Sequence, residues 1–501
     1  MESDDPLGES KASESDVLAT CPTNRELGTK PVGRLFAKYA GITLIGFTFQ
    51  AIMVICEGLI TGNGLGAYGL AVVAVIMPLE LLNLALSTAL GMGTATLVGQ
   101  HFGANDNAGA RRMFAQGFWM SVYLTVGLSA AMFIFAPQVA LFLGSTPEMH
   151  ADMVMCIRIF CCFYPFCIMG QAFCTVARTD EQPRMAACIA GLAAVVATVW
   201  LYTSIFILNL GVIGSAVYYG ISTGMWSLVF LYFFFSKKTV LKVRLSDMKL
   251  DPAVCKQIIS HGLPMFLVQI ASFCYTVVIN NFLGSLGCET ELAAFSVINS
   301  YVIYIMNLVC LAGVDAVQPI ASYNYGAHMF NRCRALIRVA IVGALAVLGA
   351  MAFVFVMFSQ AICTAFIGDD PAVVEQAVYA MLPLVMCAPL GLMAQLMSSY
   401  FQAVNKERIA VVLGMCRHLM FTIPAIVIMG GLFGINGVWW AQPVADVCTG
   451  ILVAVIVGFE LRSLSRKATF TVIAINEDPA PTDPMRPIRF PGSPKRRKRA
   501  A

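Results

Sequence analysis

Apolar runs of about 20 residues or more recur from Lys38 to Glu460, and a run of that length is what an α-helix needs to cross a hydrocarbon core of roughly 30 Å. Twelve spans are predicted, over 38–61, 67–97, 113–136, 151–176, 186–208, 211–235, 256–284, 291–321, 335–359, 373–402, 409–431 and 436–460. In lipid each backbone N–H and C=O must find its partner within the chain, which leaves helices and closed barrels as spanning structures. A barrel would show short alternating strands. The pattern is therefore that of an all-α polytopic membrane protein. A hydrophobic content of 58%, only 12% charged residues and a mean hydropathy of +0.78 exclude a soluble domain of ordinary composition.

The loop charges test the span count. Arg111 and Arg112, Arg178 and Arg184, the run from Lys237 to Lys256, Arg332 and Arg334, and Lys406 and Arg408 fall in alternate loops, while the other loops hold acids such as Glu148, Glu289, Glu291, Asp369 and Asp370. Lys and Arg mark the cytoplasmic side, so a multi-pass protein of the cell membrane with both termini cytoplasmic is expected. The formal charge of +4 describes this topology and points to no nucleic acid. The 17 cysteines are scattered through apolar spans without metal-type spacing and read as small buried hydrophobes. Residues 1–33 are acidic and polar and lack the apolar stretch of a secretory signal, so a disordered cytoplasmic tail is expected there. The Pro-rich segment 463–501, ending in the basic run Lys495–Arg499, is read as a second disordered tail near anionic headgroups.

The chain also repeats. Gly64 falls on Gly287, Gly103-Ala104 on Gly326-Ala327, Arg111 on Arg334, and Gly211-x-x-Gly214 on Gly434-x-x-Gly437 at one ungapped shift, 287 − 64 = 223. Six spans lie in each copy, so the copies share an orientation. They should form two six-helix bundles related by a pseudo-two-fold axis along the membrane normal. The expected division is an N-terminal bundle over 34–235, a cytoplasmic linker over 236–255 and a C-terminal bundle over 256–462, with a cleft between the bundles.

Ionisable groups inside spans cost roughly 2.5 kcal/mol or more to insert, so each is a candidate site. Glu57 sits late in the first span, two turns beyond Gln50 on the same face, with Met53 between them. Low dielectric disfavours the charged form of a carboxyl, so such a group can take up a proton and release it on hydration or when a cation arrives. Glu80, deeper in the second span and just past Pro78, is the reserve candidate for proton coupling. Gln269, Thr276 and Asn280 form a polar stripe on the seventh span, and the repeat shift sets Asn280 against Glu57. With Gln50 and Met53 they are candidate cleft-lining residues. Arg417 in the eleventh span and Asp446 in the twelfth have matching depths when counted from opposite faces, which fits a structural ion pair. No HExxH, GxSxG or Walker A motif is present, and an enzyme or ATP-driven pump is not expected.

The stretch from Glu57 to Arg111 resembles the opening motif of the multidrug and toxic compound extrusion (MATE) transporters. Gly262-Leu263-Pro264, Gln318-Pro319 and Tyr323–Ala327 resemble the pattern that opens that family's second lobe, and Phe401–Ala403, Lys406, Arg417, Pro424, Gly434, Gly437–Trp440 and Asp446 are similar to its MepA-like branch. The resemblance covers roughly residues 35–462. It implies a V-shaped pair of six-helix bundles, alternating access, and export of bulky, mostly cationic amphiphiles by a monomer embedded in the bilayer, in exchange for protons or sodium without a cofactor. Family members usually carry Asp where this chain has Glu57, and often Asn and Asp in the fifth span, which here reads Thr198–Tyr202 without an acid. The acids of a sodium-coupled branch in the seventh and tenth spans are also missing, so H+ is expected in preference to Na+. The alternative is a lipid-linked oligosaccharide flippase or polysaccharide exporter on a related scaffold, which would need a cationic cleft for pyrophosphate.

Overall fold

A computed structural model describes residues 25–143, 147, 149–236, 239–285, 298–367 and 371–477. Among them a short helix α1 (Glu26–Thr29) precedes the first bundle. That bundle comprises α2 (Val32–Gly66), α3 (Pro78–Gly103), α4 (Asn107–Ile134), α6 (His150–Thr179), α7 (Pro183–Ile207) and α8 (Val212–Phe235), with the short α5 (Ala136–Phe142) between α4 and α6. The second bundle comprises α9 (Pro252–Ser285), α10 (Tyr304–Gly326), α11 (Phe330–Met357), α13 (Pro371–Ala403), α14 (407–433) and α15 (435–477), with α12 (Ser359–Ile367) after α11. The break between α14 and α15 is Gly434, at φ 60°, a left-handed conformation that a residue without Cβ adopts freely. Splitting the apolar run Glu407–Lys467 there gives twelve helices long and apolar enough to span a membrane.

The repeat is visible in the backbone. The bounds of α4 and α11 differ by 330 − 107 = 357 − 134 = 223, and α5 and α12 begin at the same shift. So do the left-handed residues Asn105 and His328, and Gly211 and Gly434. The expected ungapped register needs one correction. Thr179 and Ala403, which end α6 and α13, and the left-handed Glu181 and Asn405 are offset by 403 − 179 = 405 − 181 = 224. One residue is added before the ends of α6 and α13 and removed again before Gly434.

The two-fold axis can be placed from the closest backbone approach. On α3 and α10, repeat mates face one another. A Cβ on Gly103 would stand 2.0 Å from Tyr323 O, and one on Gly326 would stand 2.1 Å from Gln100 O, where Tyr323 and Gln100 are themselves mates. Any side chain at either glycine would force the bundles apart, so this crossing depends on their absence. All of these contacts lie at the end that carries the basic loops.

Two expectations about the tails are corrected. The segment before α2 is ordered from Arg25: Leu27 is fully buried, and its neighbours tie both bundles together. Arg25 Nη1 pairs with Asp180 Oδ1 at 3.0 Å while its guanidinium lies 3.5 Å above the Phe102 ring. Leu27 N donates to Glu181 Oε1 at 3.0 Å. From the second bundle, Asn324 Nδ2 and Arg332 Nη2 donate to Leu27 O at 3.1 and 3.0 Å. At the other terminus α15 continues through Glu477, so the disorder expected from Ser463 does not begin there. A helix already anchored in the bundle extends at the cost of propagation alone, without a new nucleation step. Residues 1–24 and 478–501, with the basic run Lys495–Arg499, lie outside the described residues. The linker is also shorter than expected, because α9 begins at Pro252.

Candidate functional site

Glu57 is the acid that the first bundle encloses. It lies late on α2, and the side chain turns inward to α8, so the residue is only 7% exposed. Tyr218 Oη donates to Oε2 at 3.1 Å, and Tyr219 Oη makes a short hydrogen bond to Oε1. Both tyrosines are buried. Each carboxylate oxygen thus has one hydroxyl donor, and no Lys or Arg supplies a counter-charge in these contacts. Hydroxyl donors accept either charge state of the acid, whereas a fixed cation would hold it ionised.

Glu80 on α3 is within electrostatic reach of Glu57. One of its oxygens accepts from Asn83 Nδ2 at 3.2 Å; the other, Oε1, is buried with no partner among the described residues. The Tyr164 hydroxyl of α6 is likewise buried and unpartnered there. Unmet buried polar atoms at Glu80 and Tyr164 leave room for a further hydrogen-bond partner there. Gln50 is half-buried on α2, and Met53, one turn before Glu57, packs partly into the core.

The second bundle builds a different chamber. Gln269 and Thr276 of α9 line a cavity of about 190 Å³ together with Asn299, Asn307, Gln395 and Arg417. The third member of the predicted stripe, Asn280, has its side chain outside the described residues. Arg417 and Asp446 are brought together: Nε donates to Oδ1 at 2.8 Å and Nη2 to Oδ2 at 3.3 Å. Tyr275 Oη donates to Gln442 Oε1 at 2.5 Å.

Sequence reasoning passed over several of these groups. Tyr218 and Tyr219 are two aromatics in an apolar span, and nothing local distinguishes them from core. Asp315 on α10 was legible as an acid inside a span; it pairs with Arg178 at 3.1 Å across the two bundles, with both side chains mostly buried. Gln318 accepts from Thr179 at 3.3 Å and donates to Thr96 at 3.4 Å, and Gln100 donates to Ala403 O and Asn405 Oδ1 at 2.9 and 2.7 Å. The bundle seam at the basic-loop end is therefore closed by polar contacts as well as by the glycine crossing.

Outside the membrane, burial shifts the seam acids. It pushes the carboxyls of Asp180 and Glu181 above their ordinary range, against the pull of Arg25. Lys30 and Lys38 hold Glu26 below it.

The MatE family model matches residues 43–203 and 264–428, one segment in each bundle. Among curated relatives, Multidrug export protein MepA of Staphylococcus saprophyticus is 25% identical over 391 residues, covering 77% of this chain and 85% of its own. MepA of Staphylococcus aureus strain NCTC 8325 is 24% identical over 427 residues, covering 83% and 91%. Among solved structures, an outward-facing multidrug resistance MATE family transporter of the MOP superfamily superposes with a TM-score of 0.82 at 20% identity, covering 89% of this chain and 99% of that one. A MOP superfamily transporter from Pyrococcus furiosus, described as having a binding pocket of reverse polarity, superposes at 0.81 and 20%. With the family model matched in order on both bundles and over more than half of the sequence, the chain belongs to the MATE family of membrane transporters.

Proposed function

We propose that this protein is a secondary-active multidrug exporter that exchanges cationic amphiphiles for protons by alternating access, with Glu57 as the coupling acid. The observation that carries this reading is the enclosure of Glu57 by Tyr218 and Tyr219 within the first bundle, with no Lys or Arg in contact with it among the described residues. The names of the MepA relatives support multidrug export. Protons are favoured over sodium because, among the described residues, no Asp or Glu lines the chamber of the second bundle, and a hard cation seeks charged oxygen.

A proton can drive the cycle only by binding one conformation better than the other. Neutral Glu57 accepts the tyrosine hydroxyls and can remain dehydrated, whereas the ionised carboxylate gains from water or from a cationic substrate. Proton and drug therefore compete for the first bundle, and Glu80, with one oxygen unmet, is placed to take part. The basic loops and the polar seam at their end support an arrangement in which that end is cytoplasmic and closed.

The test is efflux of a cationic dye from energised vesicles under an imposed pH gradient or an imposed sodium gradient. The pH gradient should drive efflux in the wild type, and Glu57→Gln should abolish that dependence. Undiminished pH-driven efflux in Glu57→Gln would remove the coupling site, and efflux driven by sodium alone would replace the coupling ion.

A further inference from the structure

We infer that the chamber in the second bundle is a subsite for a carboxylate, presented by a zwitterionic amphiphile, with Arg417 as its donor. This rests on the exporter reading above and assigns one part of a substrate to the chamber of the second bundle. Among the described residues, the wall of the chamber holds one formally charged side chain, Arg417; the remaining polar lining is Gln, Asn, Ser, Thr, Tyr and His. Asp446 does not line it. That carboxylate is fully buried behind the guanidinium, where it takes up Nε and Nη2. Nη1 has no acceptor among the described residues, although Arg417 is only 8% exposed. The pair is thus an oriented dipole whose positive end faces the space.

Local backbone geometry fixes this orientation. Arg417 and His418 lie in a π-helical turn, Cys416–Thr422, of the kind that re-aims side chains at functional sites. The carbonyl of Arg417 accepts from Thr422 Oγ1 at 2.6 Å, which secures the turn. Gly391 of α13 presses on the pair from another side. A Cβ there would stand 1.9 Å from Asp446 Oδ1 and 2.6 Å from Arg417 Nε, so the pair fits against α13 only because position 391 has no side chain.

The chemistry of the space selects an anion-bearing group. A free cation finds no carboxylate in this wall. A neutral acceptor would gain an ordinary hydrogen bond from Nη1, whereas a carboxylate gains a charge-assisted one of roughly twice the strength, and the amides of Asn299, Asn307 and Gln395 can complete its shell. Because Asp446 already neutralises Arg417, the site costs no isolated buried charge when empty. Val268, Ile303, Ala394 and Leu413 supply apolar wall for the rest of the molecule.

Rhodamine B, a zwitterion with a free benzoate, and its ethyl ester, a cation with the same ring system, form the test pair. Both are followed in vesicles energised with a pH gradient. The wild type should export the acid with a KM about tenfold below that of the ester, the equivalent of one charge-assisted hydrogen bond. In the charge-neutral double variant Arg417→Gln/Asp446→Asn, the ratio of acid to ester transport should fall by about the same factor. Export of the ester alone by the wild type would overturn the carboxylate subsite and leave the exporter reading standing; export of neither dye would overturn both. An unchanged ratio in the double variant would also overturn the subsite. Should that variant not fold, purified wild-type protein decides. The acid should raise its unfolding temperature at a lower concentration than the ester does, and the opposite order rejects the proposal.

Discussion

The two bundles share a backbone register yet differ in how they treat buried charge. In the first, Glu57 stands without a fixed counter-ion and is held by two tyrosine hydroxyls. In the second, Arg417 and Asp446 cancel one another, and the other polar groups of the chamber among the described residues are amides, hydroxyls and the imidazole of His418. The exchange can be followed at one equivalent position. Tyr219, which holds the acid, has Gln442 as its mate at 442 − 219 = 223, and Gln442 instead accepts from Tyr275. A duplicated scaffold has thus kept its packing while its halves took up different electrostatics. An acid without a fixed partner can change its charge during a cycle, whereas a salt-bridged pair resists doing so. This is why proton exchange is assigned to one half and recognition of a counter-charged group to the other.

The contrast can be broken at the pair itself. Asp446→Ala strands a buried guanidinium and should destabilise the protein by about 3–5 kcal/mol, whereas replacing both partners by apolar residues of similar volume should be close to neutral. Thermal unfolding in detergent reads both. Equal losses in the single and double replacements would mean that packing, and not charge, sets the cost. In the first bundle Tyr219→Phe removes one donor from Glu57 and should cost about 0.5–1.5 kcal/mol, the value of a hydrogen bond between neutral groups. The same measurement applies, together with slower dye efflux, and a variant with wild-type stability and rate would show that Tyr219 is mere packing.

The smallest effect is expected where the halves are tied together. Lys30 and Lys38 hold Glu26 below its usual range. With the folded value depressed, its contribution is present above about pH 4.5 and is lost as pH falls through the lower, folded value. The side chain is 34% exposed, so solvent screening limits this to a few tenths of a kcal/mol. A spin label at Thr29 should stay immobile at neutral pH and gain mobility only below about pH 4. Mobility that increases instead as pH rises above neutral would mean that Glu26 does not anchor the segment.

Much of this was open to reading before any coordinates. Spans, bundle count and repeat shift follow from hydropathy and glycine spacing, and α4 and α11 reproduce the shift residue for residue. Glu57 and Glu80 were visible because an acid in an apolar run is rare. Asp315 was equally visible and was passed over. The order of Arg25–Lys30 was not legible, because that segment is polar and short and gains its structure only from Asp180, Glu181, Asn324 and Arg332, which are remote in sequence. The helical continuation of α15 past Ser463 escaped for a related reason, since composition reports whether a segment can fold by itself and is silent about an anchored helix end.

What the sequence alone determined is whatever the bilayer enforces locally. A backbone in lipid must satisfy its own hydrogen bonds within each span, so span number, length and helical character are written in hydropathy, and the duplication in spacing. Tertiary structure decided which way each polar side chain turns and what meets it. Glu57 turns to the hydroxyls of α8, and Arg417 lines the chamber while Asp446 holds its Nε and Nη2. Those choices depend on contacts between helices more than a hundred residues apart in one case and around a π turn in the other, and helical periodicity carries no record of either.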